Sequence, residues 1–255
     1  MNIDEDKHDR QKRITGWKQD KITGANVAII GAGALGNEVV KNLLQLGAQR
    51  LSIIDYDVIV KANLNRCVFF TEQDAENKVL KAEAIAANAK RFNKDAQVTP
   101  VIKNVEELNN KFFSTFDVVF GCLDNLGARL HVNANCYGST PFIDGGTTGF
   151  LGKVQTVVSP SPCIECPLKK QDYALMWRKY SCTGDNLDIL DPKMPALPTT
   201  TSIISSIQVN EFLKILHGKE FGDTLVGKYL FYNGLTGQSR TYSLEKRKSC
   251  PVHPT

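Results

Sequence analysis

Short apolar runs alternate with amphipathic stretches through the first 144 residues. Near-continuous apolar segments at 27–30, 51–55, 98–102, 118–122 and 141–144 predict strands buried on both faces. Between them, 35–46 (stopped by Gly47), an Ala-rich stretch near 75–91, 105–113 and 128–137 predict helices. Strand and helix in turn make a doubly wound, largely parallel α/β sheet. After Gly145-Gly146 the texture changes. Residues 153–158 alternate as a half-exposed strand, and irregular, Pro-rich sequence fills 159–198. A long helix is predicted from 199 to 217, with Ile203, Ile207, Phe212, Leu213 and Leu216 on its apolar face. Residues 229–232 and 239–244 read as a closing antiparallel hairpin before a basic tail. Residues 1–25 are charged, with Ile14, Trp17 and Ile22 as sparse anchors, and read as an arm lying on the domain.

The first strand runs through Gly31-Ala32-Gly33-Ala34-Leu35-Gly36 into the first long helix. In a strand–turn–helix setting, Gly31 permits the tight turn, Gly33 lets backbone amides approach a phosphate, and Gly36 lets helix and strand pack closely. The helix N-terminus adds free N–H groups and partial positive charge. Asp55 lies 19 residues beyond Gly36, at the end of the next strand, where it accepts hydrogen bonds from ribose hydroxyls in nucleotide sites of this kind. The pattern says nucleotide without naming the chemistry.

Composition narrows the field. No apolar run approaches the ~20 residues that span a bilayer, so no membrane partner is expected. The segment Met1–Asp6 is acidic and lacks an apolar centre, so a secretory signal is not expected and a cytoplasmic location is. A net charge of +4, dispersed along the chain, does not point to nucleic acid and is compatible with phosphates and acidic partners. Seven cysteines, odd in number and unevenly spaced, argue for reduced thiols, metal ligation or catalysis rather than a disulfide framework.

Further candidates fall at the carboxyl ends of the predicted strands. Asp55-Tyr56-Asp57 leads to Asn63-Leu64-Asn65-Arg66, and an Arg there is placed to neutralise phosphate bidentately. Lys78 and Lys81 follow, either of which can add a point charge. Gly121-Cys122-Leu123-Asp124-Asn125 closes the fourth strand, and a carboxylate beside a triphosphate suits Mg²⁺. The alternative for Asp124 is to cap the helix that follows. Cys163-x-x-Cys166 and Cys250-x-x-His253 supply four ligands in two knuckles, the donor set of a closed, structural Zn²⁺ site. Cys67, Cys122 and Cys136 lie among apolar or small residues and read as core thiols. Cys182 stands apart in the polar loop Tyr180-Ser181-Cys182-Thr183-Gly184. Its nucleophilicity would rest on a thiol pKa lowered by Arg178, Lys179 or a helix N-terminus.

Taken in order and spacing, Gly-x-Gly-x-x-Gly, Asp55-x-Asp57, Asn63-Leu-Asn-Arg66, Lys78 and Cys122-Leu-Asp124-Asn125 resemble the ubiquitin-activating enzyme superfamily, with its ThiF, MoeB and HesA adenylyltransferases. Asp9-Arg10-Gln11-x-x-Ile14-x-Gly16 resembles the family's N-terminal segment, and the likeness extends from about Asp9 to His253. The resemblance implies a single Rossmann-like adenylation domain over 1–255: an arm (1–25), a nucleotide-binding core (26–158), a crossover loop (159–198) and a zinc-tied C-terminal region (199–255). It implies ATP-dependent adenylation of the C-terminal glycine of a ubiquitin-like protein. Gly31, Gly33, Gly36 and Asp57 border the nucleotide and Asp55 holds the ribose. Asn63, Arg66 and Lys78 hold phosphates, Asp124 holds Mg²⁺, and Arg10 reaches the partner's site in a homodimer. Cys182-Thr183 resembles the family's thioester position, which implies a thioester after the adenylate, with a conjugating enzyme as a possible further partner. The alternative is a MoeB- or ThiF-like enzyme that adenylates a sulfur-carrier β-grasp protein and forms no thioester. The chain departs from the pattern at Cys67 (Gln in the family), at Asn77-Lys78 in place of a Gly-containing turn, which leaves Lys78 and Lys81 both open, and at His253 in a Cys₄ zinc set. Two readings from other classes explain less. A nicotinamide-dependent dehydrogenase accounts for the glycines and Asp55 but not for Arg66, Lys78, Asp124 or the zinc pairs. A non-catalytic scaffold leaves the set of phosphate ligands unexplained.

Overall fold

The computed structural model of the chain describes residues 6–173 and 195–253. Five strands, β1 (Asn26–Ile30), β2 (Arg50–Ile54), β3 (Gln97–Val101), β4 (Val118–Gly121) and β5 (Phe142–Thr148), pair in parallel. Three more, β6 (Leu151–Val157), β7 (Lys228–Asn233) and β8 (Gln238–Ser243), continue the sheet antiparallel, in the order β3-β2-β1-β4-β5-β6-β7-β8. The chain winds outward from β1 to β3, then restarts at β4 on β1's other side. This reversal opens a crevice at the carboxyl ends of β1 and β4, where open α/β sheets bind ligands.

Helices α1 (Asp9–Lys12), α2 (Gln19–Gly24), α3 (Ala34–Leu46), α4 (Glu72–Glu76), α5 (Lys81–Asn88), α6 (Asn110–Phe113), α7 (Leu126–Cys136) and α8 (Pro198–His217) cover the sheet. Two apolar clusters result. One joins α3, α5 and α8 to residues such as Val27, Ile29 and Phe120; the other packs α7 and the 163–166 knuckle against Ile30, Val119 and Phe142. No helix among the described residues is long and apolar enough to cross a membrane.

The arm is tied down where α3 and α8 end. The carbonyl of Leu46, unsatisfied inside its helix, accepts from Gln11 Nε2 (3.0 Å) and Gln19 Nε2 (2.8 Å). His217 Nε2 accepts from the Lys18 N–H at 3.1 Å. Trp17, His217 and Phe221 pack their rings together.

Three expectations are revised. The stretch 75–91 is not one helix: α4 stops, Lys78 turns with φ +51°, and α5 restarts at Lys81. The stretch 105–113 is only a 3₁₀ turn at Val105–Glu107 followed by the one-turn α6. Helix α8 buries a polar face: Thr201, Ser205, Gln208 and Glu211 are buried with Ile204 and Phe212, while Ile203 is 37% exposed. The reason is hydrogen bonding to the sheet. Gln208 Nε2 donates to Gly121 O and Ile143 O (3.0 Å each), and Glu211 Oε2 accepts from Thr156 Oγ1 (2.9 Å) and Leu225 N (2.6 Å). These buried hydrogen bonds fix the helix's register on the strands.

Candidate functional site

The crevice is floored by the glycine turn. Gly31 has φ +97°, donates to Ile54 O at 2.8 Å, and lies so close to Cys122 O that a Cβ would sit 2.6 Å away. This contact joins the β1 turn to the end of β4, so the loop that carries Asp124 abuts the glycines. A Cβ on Gly36 would sit 2.0 Å from Gly31 O, whereas one on Gly33 would meet open space. Two of the three glycines are thus demanded by backbone packing and the third faces the opening. Gly36→Ala should therefore lower stability by about 1–3 kcal/mol, read as a shift in urea midpoint, while Gly33→Ala should fold normally.

Helix α3 begins at Gly33 with no side-chain cap, so its first N–H groups face the crevice. Asn37, one turn in and fully buried, donates to Ala32 O (2.8 Å) and Gly33 O (3.0 Å) and accepts from Phe69 N (3.1 Å). It braces the turn from behind. Sequence reasoning missed it; the signal was an Asn on the apolar face of a helix.

Asp55 follows β2. Its Oδ2 accepts from Ala32 N (2.7 Å) and its Oδ1 from Asp57 N (2.8 Å), which leaves lone pairs on both oxygens for further donors. Burial raises its pKa, opposed by Lys81 and by these two bonds. Lys81 opens α5, its stem largely buried. Its Nζ donates to Asp57 Oδ2 and its N–H to Asp57 O, at 2.6 and 2.9 Å. The pairings Ile59 N→Val79 O and Val58↔Leu80 hold this lysine at the rim. Lys78 is exposed at the left-handed turn three residues earlier.

Asn63 accepts from Val60 N at 3.0 Å and closes the 3₁₀ turn Lys61–Asn63. Arg66 Nη1 donates to Ala62 O and Asn65 Oδ1 on the same exposed loop. Asp124 is exposed, and the cap of α7 is Asn125, whose Oδ1 accepts from Ala128 N at 2.7 Å. The capping alternative for Asp124 is thereby excluded. Beside it, Arg129 of α7 forms a buried bidentate pair with Asp144 of β5, through Nε–Oδ1 at 3.0 Å and Nη2–Oδ2.

Arg10 is far from all of this. Its segment docks on Leu46, the opposite end of α3, and a 13-residue helix spans about 20 Å. Arg10 does not join its own chain's crevice; its Nη1 pairs with Asp9 Oδ2 at 2.6 Å. Cys182 lies outside the described residues. Cys67, Cys122 and Cys136 are buried as expected, and burial pushes their thiols up, Cys67 to about 11.

At the other end of the sheet, Cys163, Cys166, Cys250 and His253 converge, all buried, with ligand atoms within 4.8 Å of one another. Cys163 Sγ lies 3.8 Å from Cys166 Sγ and 3.7 Å from Cys250 Sγ, and Cys166 Sγ lies 3.1 Å from His253 Nε2. Sulfurs bonded tetrahedrally at about 2.3 Å to one zinc are about 3.8 Å apart, so the four donors fit that ion. Around them, Arg247 donates to Leu168 O (2.8 Å) and Tyr173 Oη (3.0 Å), and Tyr173 donates to Glu165 Oε1 (2.7 Å).

A switch-point crevice with a bare helix N-terminus, a braced glycine turn and a carboxylate after β2 defines a Rossmann-like nucleotide-binding protein. The chain belongs to the ThiF family, whose pattern it matches over residues 8–252. It is 28% identical over 236 residues to the SAMP-activating enzyme E1 of Haloferax volcanii (92% of this chain, 82% of that one). It is 27% identical over 236 residues to the Escherichia coli sulfur carrier protein ThiS adenylyltransferase (92% and 88%). SUMO-activating enzyme subunit 2 of Dictyostelium discoideum is 36% identical over 151 residues, and there the match spans only 22% of the relative's length. Among solved structures, E. coli MccB with selenomethionine MccA shares the fold at a TM-score of 0.79 and 19% identity, covering 98% of this chain and 75% of that one.

Proposed function

We propose that this chain is an ATP-dependent adenylyltransferase that activates the C-terminal carboxylate of a ubiquitin-like or sulfur-carrier protein. The observation that carries this reading is the rim at which Gly31, Asp55, Asp57, Lys81 and the 122–124 loop meet. Relatives matched over 92% of the chain, named as an activating enzyme and an adenylyltransferase, support it. In this reading the N-terminus of α3 and the Gly31–Gly33 backbone bind phosphate oxygens, and Asp55 accepts from ribose hydroxyls. Arg66 and Lys81 neutralise the leaving diphosphate, with Asn63 holding the Arg66 loop in place. Lys81 takes this role rather than Lys78 because it is anchored at the rim. Asp124 would hold Mg²⁺, whose contribution is charge neutralisation on the phosphates. Cys163, Cys166, Cys250 and His253 would hold a structural zinc ion.

The reaction balances simply. A carboxylate oxygen of the carrier attacks the α-phosphorus, the bond from that phosphorus to the bridging oxygen breaks, and pyrophosphate leaves with its electron pair. The residues contribute position and charge rather than covalent chemistry. Arg10 acts on the partner's pocket in a homodimer, which its distance from its own crevice favours. The Cys182 thiolate then attacks the acyl carbon, releases AMP and forms a thioester, for hand-off to a conjugating enzyme. The match to the ThiS adenylyltransferase favours a second reading, in which the sequence stops at the adenylate. Cys182→Ala separates the two. In the first reading the variant keeps ATP–pyrophosphate exchange and loses a thiol-labile adduct with the carrier. Survival of exchange and downstream transfer together refutes the thioester.

A further inference from the structure

The four donors of the Cys/His cluster are not equally served by their surroundings. Cys166 Sγ accepts from the Cys163 N–H at 3.3 Å, and the His253 ring lies against Tyr137, with centroids 4.9 Å apart. Cys250 Sγ, 3.7 Å from Cys163 Sγ, takes no main-chain N–H from a described residue. Three residues earlier, Arg247 has the converse deficit. Its Nη1 donates to Leu168 O (2.8 Å) and its Nη2 to Tyr173 Oη (3.0 Å), yet its Nε is buried with no partner. The turn closed by Cys250 N→Arg247 O (3.1 Å) keeps the two residues together. Arg247's pKa is raised, most by the hydrogen bond to Tyr173 and also by the Cys250 sulfur, while desolvation opposes both.

Charge gives this pairing a reason. Zinc with three thiolates and a neutral imidazole carries one net negative charge, and all four groups are buried. Glu165, in the first knuckle and also buried, adds another, and Tyr173 bridges it to the same guanidinium. A buried charge is costly unless an opposite charge and a hydrogen bond meet it, and arginine's weakly hydrated fork is suited to that place.

We propose that Arg247 is a positioning residue of the zinc centre, whose Nε–H donates to the Cys250 thiolate and whose charge offsets that of the site. This rests on the zinc reading above. The bond fixes the Cys250 rotamer and lowers the energy of the sulfur's lone pairs. Leu168 and Tyr173 hold the guanidinium from the first knuckle's side, so one side chain ties the two knuckles together.

The probes are zinc, measured by competition with a chromophoric chelator, and cobalt(II) put in its place in the full-length protein. The sulfur-to-cobalt charge-transfer band reads the thiolates directly. Arg247→Met should weaken zinc binding about tenfold or more. It should also move the band to longer wavelength, because a thiolate that loses a hydrogen bond gives up an electron more easily. Arg247→Lys keeps a cation on the turn but has no N–H at that place. It should move the band alike and cost less affinity, and it decides the matter if the Met variant does not fold. Tyr173→Phe removes a contact of the guanidinium with the fold and should leave the band where it is. A band unmoved in the Arg247 variants overturns the proposal, as does zinc affinity within twofold of wild type in Arg247→Met. An equal movement in Tyr173→Phe overturns it too, since packing alone would then set the band. Wild-type protein that binds neither metal would instead count against the zinc reading, and with it the role assigned to Arg247.

Discussion

Lys81→Met should slow ATP–pyrophosphate exchange by about a hundredfold or more, equivalent to about 2.7 kcal/mol of transition-state stabilisation. Lys78→Met should change it less than about threefold. Lys81 Nζ is fixed by Asp57 at the rim and its field reaches Asp55, so it faces the place where pyrophosphate charge develops. Lys78 stands on an exposed turn with φ +51°, a conformation that costs an L-residue about 1–2 kcal/mol. Lys78→Gly should accordingly stabilise the protein slightly and leave exchange intact, as a urea titration beside the kinetic assay will read. A larger loss from Lys78→Met than from Lys81→Met would reverse the assignment.

Cys163→Ser should strip the protein of bound zinc and cost more than about 4 kcal/mol of stability, the size reserved for losing a metal or a buried network. The four donors join positions 163 and 250, between which lie α8, β7 and β8. Losing the ion therefore frees a long loop as well as all four coordinate bonds. Metal content by atomic absorption and a guanidinium titration test both halves of the statement. His253→Cys should retain zinc, since a thiolate suits the same geometry. A protein purified without metal and indifferent to chelators would refute the site.

Much of the architecture was legible because the inner parallel strands, β1 and β4 above all, are buried on both faces and so read as apolar runs; β3, expected to be buried likewise, lies at the sheet's edge and is largely exposed. The glycine turn was legible for a related reason: Gly31 and Gly36 answer to backbone contacts that no other residue permits. What escaped was decided by partners far along the chain. The inward face of α8 is polar because Gln208 and Glu211 find acceptors and donors on β4, β5, β6 and the loop before β7. A hydrophobicity pattern assigns such residues to solvent. The 75–91 stretch reads as helix by its alanines, and only the bridge between Val58 and Leu80 shows why it must break at Lys78. The choice between two lysines was beyond sequence spacing for the same reason. Asn37 and Arg129 were invisible as residues bordering the site because each is defined by what it touches.

The 163–166 and 250–253 knuckles also have a consequence for damage. With a metal between them they close a ring that encloses the C-terminal third of the chain, hairpin included. A chain nicked between Cys166 and β7 remains a single body, held by coordination at one point and by the β6–β7 ladder at another. The Cys250–His253 turn thus acts as a clasp, and a protease scar that severs the backbone there need not separate the two pieces.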